Sequence, residues 1–159
     1  METFRGQEST RTEGRVQALR SRAWLGARLF GALSLLAVGL IHLQQYFELY
    51  SEIPTIGTLF VLNFLGATAI AVGLLSPVEG LLGRRGGAAL ALLTLGGIAL
   101  PVTSFVFLLI SERTPLFGFM EPGYDPQAIM LSRVSEVVTV VLLGTYAVAR
   151  FARRASEPW

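Results

Sequence analysis

Residues 88–110 read AALALLTLGGIALPVTSFVFLLI, a run without a charged side chain. At 1.5 Å per residue, a helix of this length covers the ~30 Å hydrocarbon core of a bilayer. Arg84 and Arg85 precede the run, and Glu112 and Arg113 follow it. The stretch therefore predicts a transmembrane helix with charged residues at both ends.

Three further apolar runs of similar length lie at residues 25–47, 56–75 and 129–149. Hydrophobic residues make up 52% of the chain, more than a soluble domain usually contains. The short connections favour helices that neighbour one another and run in opposite directions. The sequence thus predicts an all-α polytopic membrane protein, an antiparallel bundle of four transmembrane helices within residues 23–151. The polar composition of residues 1–22 predicts a disordered, mobile tail, and residues 152–159 form a second tail.

The arginines are distributed unevenly between the two ends of the predicted bundle. Eleven of the thirteen flank the N-terminal end of the first run, the second connection or the C-terminal end of the last run. Only Arg113 and Arg133 fall on the other side. That side carries acidic residues, namely Glu48, Glu52, Glu112, Glu121 and Asp125. Because cytoplasmic loops are enriched in basic residues, both termini are predicted to be cytoplasmic, with the chain in the cell membrane.

The composition excludes several kinds of chemistry. The chain has no Cys, which excludes thiol nucleophiles, thiolate metal sites and Cys-ligated clusters. All thirteen basic residues are Arg, so Schiff-base lysines and a P-loop lysine are also excluded. His42 is the only histidine, too few for a bis-histidine haem or a multi-histidine zinc site. We therefore predict no enzymatic activity, no cofactor and no metal. Nucleic-acid binding is not predicted either, because the arginines flank apolar runs.

Each predicted span carries its most polar residues at a similar depth, roughly 7–11 Å below the outer interface. These residues are His42, Asn63, Thr103, Ser104, Arg133 and Glu136. Arg133 and Glu136 are three apart on one helix and are predicted to pair. Charged groups at such depth often mark a functional site, but polar side chains also join helices to one another. The polar layer is therefore either structural or a site for a ligand, proton or ion.

The third connection, residues 111–128, combines three prolines with apolar side chains. Proline prevents a regular helix there, and an apolar loop should leave water. We predict that Phe117, Phe119 and Glu121 either cover the outer mouth of the bundle or anchor the loop in the membrane interface.

Three segments resemble a family of small actinobacterial four-helix membrane proteins without an assigned function. They are GLIHL at 39–43, IPTIGTLFVLN at 53–63 and LFGFME at 116–121. The resemblance covers residues 29–150. In size and helix number the chain is also similar to the DoxX-like proteins, some of which accompany quinone-linked sulfur oxidation. That second similarity concerns layout alone, because no redox motif matches residue by residue.

Four short helices offer few groups for chemistry, so the leading hypothesis is a non-enzymatic accessory or assembly subunit. Its partners would be the lipid bilayer and another membrane protein or a second copy of the chain. The alternative is an outward-facing site for a small molecule, quinone or ion, built from the polar layer. An oligomeric transporter or channel is a second alternative. A cavity that reaches Glu136 would favour a binding site, and a closed bundle would favour a structural role.

Overall fold

The computed structural model describes the backbone of residues 2–156 and the side chains of residues 22–150 and 152. The helices are α1 (Glu2–Gln45), α2 (Pro54–Leu75), the short α3 (Val78–Leu82), α4 (Gly86–Ser111) and α5 (Pro126–Ser156). A π-helical turn, Tyr46–Tyr50, follows α1, and a 3-10 turn, Gly83–Arg85, joins α3 to α4. In the described part of the chain, four helical segments are long and apolar enough to cross a membrane. The predicted all-α class and the four candidate spans are confirmed.

Helix α1 begins at Glu2, so its backbone includes most of the segment that composition assigns to a mobile tail. The side chains before Arg22 lie outside the described part of the chain. The mobility of residues 1–22 therefore stays a prediction, as does the character of residues 152–159.

The four long helices form a bundle in which each packs against two others. Helix α1 contacts α2 and α5, and α4 contacts the same two helices from the opposite side. The connection between α1 and α2 meets the connection between α4 and α5, where Gln45 donates a hydrogen bond to Asp125 across 3.1 Å. We call this the loop end of the bundle. At the other end, Arg28 on α1 donates to the backbone oxygens of Leu74 and Ser76, at and just after the end of α2.

The apolar core occupies the half of the bundle away from the loop end. It contains buried side chains from all four long helices, namely Ala32, Leu35, Ala67, Ala71, Leu74, Leu90, Leu143 and Tyr146. Small residues permit this packing: a Cβ atom added at Gly97 would stand 2.7 Å from Leu143 and 3.3 Å from Ile70. Close contact of this kind is typical of helices that pack within membranes. The half with the core is therefore densely filled.

The connection between α4 and α5 contains a tight turn. The backbone amides and carbonyls of Leu116 and Phe119 are hydrogen-bonded to each other at 2.7 and 3.0 Å. Phe117 and Gly118, between them, have φ angles of +52° and +82°, the combination that a type I′ turn requires. The Glu121 amide then donates to the Ser111 carbonyl at 2.8 Å, which ties the connection back to the end of α4.

The turn places Phe117 and Phe119 in different surroundings, although the sequence predicted the same role for both. Phe117 is 57% exposed. Phe119 is half-buried and meets the ring of Tyr50 edge to face, with centroids 5.7 Å apart. Glu121 is buried beside it and accepts a hydrogen bond from the Tyr50 hydroxyl. Phe119 and Glu121 thus lie against the end of the bundle, whereas Phe117 stays mostly exposed and meets the ring of Phe107 edge to face, with centroids 6.0 Å apart.

Candidate functional site

A cavity of about 550 Å³ occupies the half of the bundle next to the loop end. Its walls are mostly apolar side chains of α2 and α4, and its polar groups come largely from α1, α4 and α5. Five of the six residues predicted for the polar layer line it: His42, Asn63, Thr103, Ser104 and Glu136. Leu116, Phe119 and Glu121 of the connection close its loop end. The sixth residue, Arg133, is not part of the lining.

The cavity opens on the surface of the bundle between α2 and α4. Leu62, Ala99 and Thr103 line the cavity and are also exposed, so they border the opening. Farther from the loop end the two helices touch, since a Cβ atom added at Gly66 would stand 2.9 Å from Leu100. Pro101 follows immediately on α4, and a proline inside a helix removes a hydrogen bond and favours a bend. The opening therefore lies beside Pro101, between Ala99 and Thr103 of α4.

His42 is held by hydrogen bonds at both ring nitrogens. Its Nδ1 lies 2.8 Å from the Val38 carbonyl oxygen, which can only accept, so Nδ1 carries a hydrogen. Its Nε2 lies 2.9 Å from the Ser104 hydroxyl. In the neutral ring Nε2 is an acceptor, so Ser104 donates to it. The ring also lies 5.0 Å from that of Phe60. His42 thus joins α1 to α4 and is fixed in position at the edge of the cavity.

Glu136 is the most deeply buried charged residue of the cavity, with 1% of its surface exposed. Its Oε1 accepts a hydrogen bond from Ser132 at 3.2 Å. Within the described residues, Glu136 Oε2 and the buried Asn63 Oδ1 have no hydrogen-bond partner. Two polar oxygens at the cavity can therefore each accept a further hydrogen bond.

The predicted pair between Arg133 and Glu136 is wrong. The Arg133 guanidinium instead forms an ion pair with Glu112, just beyond the end of α4. Both side chains are about one-third exposed, at 37% and 31%. Spacing of three along a helix allows a contact but does not select it, and a carboxylate nearer the surface meets the guanidinium at less desolvation cost. Glu136 is consequently left in the interior without this arginine as a hydrogen-bonded partner.

Sequence reasoning missed two residues that shape the cavity. Ser132 stands four positions before Glu136 on α5, and this helical spacing was sufficient to indicate a contact. Tyr50 holds Glu121 and also packs against Phe60, with ring centroids 4.6 Å apart. No sequence signal indicates Tyr50, because its contacts depend on the path of a connection some seventy residues away in the chain.

Among residues 22–150 and 152, no group of three or more His, Cys, Asp or Glu side chains is arranged to hold a metal ion. Comparisons with protein families, curated proteins and solved structures find no match to this chain.

Proposed function

We propose that the chain is an integral membrane protein that binds a small lipid-soluble molecule in this cavity. The observation that carries the proposal is an apolar cavity that reaches the buried carboxyl group of Glu136. Ligand pockets of about 300–1,000 Å³ with apolar walls and a few polar groups are usual for small molecules. The ligand would place its apolar body between α2 and α4 and its polar group beside Glu136 and Asn63.

The hydrogen bonds of the polar layer favour a binding site over a purely structural one. If the polar layer only joined helices, each of its buried polar atoms would have a hydrogen-bond partner. A buried acceptor without a partner lowers the stability of the fold. His42 satisfies this expectation, whereas Glu136 Oε2 and Asn63 Oδ1 do not. A bound molecule that donates hydrogen bonds would satisfy both oxygens.

The packed half of the bundle argues against a transport path through one copy of the chain. Fully buried side chains such as Leu35, Leu90 and Leu143 fill the interior beyond the cavity. A channel or transporter requires access from both sides, and the cavity opens on only the half next to the loop end. The predicted role as an accessory subunit gains no support from any contact of the described residues.

We further propose that the helices are antiparallel, that both termini are cytoplasmic and that the loop end faces outward from the cell membrane. The Arg28 contacts join an early part of α1 to the end of α2, as antiparallel neighbours require. The acidic residues at the loop end and the arginines elsewhere fit this orientation. In this arrangement the cavity lies in the outer half of the bilayer and opens toward lipid.

A cavity-filling substitution tests the proposed function. Ala99 borders the opening, whereas Ala88 is an exposed residue of the same helix outside the cavity. We expect protein purified in mild detergent to retain a lipophilic small molecule that mass spectrometry detects. The A99W variant should lose most of it, and the matched A88W variant should keep it. Equal retention in A99W and the wild-type chain, at equal thermal stability, would contradict a ligand in this cavity.

A further inference from the structure

We infer that the molecule bound in the cavity is a lipophilic organic cation whose ammonium group pairs with Glu136. This inference rests on the proposed function and names the class of ligand. Four observations support it: the unpartnered carboxylate oxygen, the engagement of the nearby basic groups, the aromatic walls, and the charge of the loop end.

The buried carboxyl group of Glu136 has few hydrogen-bond partners within the protein. Glu136 is 1% exposed and forms its one regular hydrogen bond to a neutral hydroxyl, that of Ser132. A buried carboxyl group is either protonated or has its negative charge compensated by a cation or several donors. Its free Oε2 atom belongs to a residue that lines the cavity. An ammonium group would supply both a positive charge and an N–H donor at this atom.

The basic side chains close to Glu136 form their hydrogen bonds with other groups. The nearest arginine, Arg133, is three residues away on α5; its Nη2 atom pairs with Glu112, and its Nε atom is buried without a hydrogen-bond partner. His42 uses Nδ1 for the Val38 carbonyl and Nε2 for Ser104. Neither group forms a hydrogen bond to the Glu136 carboxylate. Neither Arg133 nor His42 is therefore a hydrogen-bonded counter-ion of the Glu136 carboxylate.

The walls of the cavity are rich in aromatic side chains. Aromatic rings line the cavity on several sides and belong to Tyr50, Phe60, Phe107 and Phe119. Such rings pack against apolar groups, and their faces also attract ammonium cations. The lining thus suits an organic cation with an apolar body. An inorganic cation would need several oxygen ligands, whereas no group of three or more His, Cys, Asp or Glu side chains in the described part of the chain is arranged to hold one.

The loop end, which adjoins the cavity, carries an excess of negative charge. Five acidic residues and two arginines belong to the loop end and the first turns of its helices. Glu121, one of the acidic residues, is buried at the cavity wall. A surface with this excess of negative charge raises the local concentration of cations and repels anions. The loop end and the interior of the cavity therefore favour the same sign of charge.

Three probes of similar shape distinguish the classes of ligand: phenylhexylammonium, the neutral phenylhexanol and the anionic phenylheptanoate. Their binding is measured by equilibrium dialysis to the full chain in nanodiscs, after subtraction of partition into empty nanodiscs. We expect the ammonium to bind on the order of tenfold more tightly than the alcohol, with no specific binding of the carboxylate. The E136Q variant should lose the preference for the ammonium, and the matched E52Q variant, at an exposed carboxylate of the loop end, should keep it.

The outcomes separate this inference from the proposed function. Equal binding of ammonium and alcohol would overturn the cationic class and leave the cavity as a binding site. No specific binding of any probe would count against both. A preference that survives in E136Q would place the cation elsewhere. If E136Q does not fold, E136D retains the charge at a shorter reach: weaker ammonium binding with the preference kept supports the inference, and unchanged binding contradicts it.

Discussion

Arg133 illustrates how a single residue can choose a partner that its sequence neighbours do not indicate. It stands three positions before Glu136, but it pairs with Glu112 of a different element. Helical spacing was enough to predict that Arg133 and Glu136 share a depth, because that follows from the rise per residue. It could not predict the pair, because the position of Glu112 depends on the path of the connection after α4.

A double-mutant cycle tests this assignment. We expect Arg133→Leu and Glu112→Gln to be coupled by about 0.2–1 kcal/mol, since both side chains are partly exposed. Arg133→Leu and Glu136→Gln should be closer to additive. The measurement is thermal or denaturant unfolding in one detergent, with the two cycles compared. Stronger coupling of Arg133 to Glu136 than to Glu112 would restore the pair predicted from the sequence.

At the scale of elements, the connection between α4 and α5 has two faces. The tight turn at Phe117 and Gly118 directs Phe119 toward Tyr50 and leaves Phe117 outside. We expect Phe119→Ser to lower the stability in detergent by about 1–2 kcal/mol, because a half-buried ring is lost. Phe117→Ser is the matched control and should lower the stability by less, about 0.5 kcal/mol, because a largely exposed ring loses an edge-to-face contact with Phe107. Thermal unfolding and protease sensitivity of the connection measure both. Equal effects of the two substitutions would show that the loop does not cover the cavity as described.

The helices themselves were predictable, whereas their faces were not. Apolar length alone indicated four spans, and the structure places each inside a helix. The helix starts lie two or three residues earlier than the apolar runs, at Pro54 and Pro126. Proline is favoured in the first turn, and the Asp125 carboxylate accepts from the amides of Gln127 and Ala128, as an N-cap does. These signals were present in the sequence, but a search for apolar runs long enough to cross a bilayer does not detect them. Because apolar residues surround α2 and α4 on all sides, no periodic pattern indicated which faces meet.

At the scale of the whole molecule, two halves with different packing share one bundle. Ala67 and Ala71 are fully buried where α2 meets its neighbours, and small residues such as these permit close contact between helices. Near the loop end, larger residues such as Phe60 and Phe107 line a cavity instead. The depth of the polar layer was predictable from residue counting. The empty volume beside it was not, since it depends on the separation between α2 and α4.

The orientation of the bundle gives the last prediction, and the absence of native cysteine makes it directly measurable. Single cysteines replace Glu52 and Gly123 at the loop end and Gly83 between α3 and α4, all of them exposed positions. If the uneven distribution of arginines sets the topology, an impermeant thiol reagent should label the first two in intact cells. It should label Gly83→Cys only after the membrane is opened, and labelling in detergent is the control for reactivity. Labelling of Gly83→Cys in intact cells, without labelling of the other two, would invert the topology. The cavity would then open toward the cytoplasmic half of the bilayer, and its ligand would have to enter from that side.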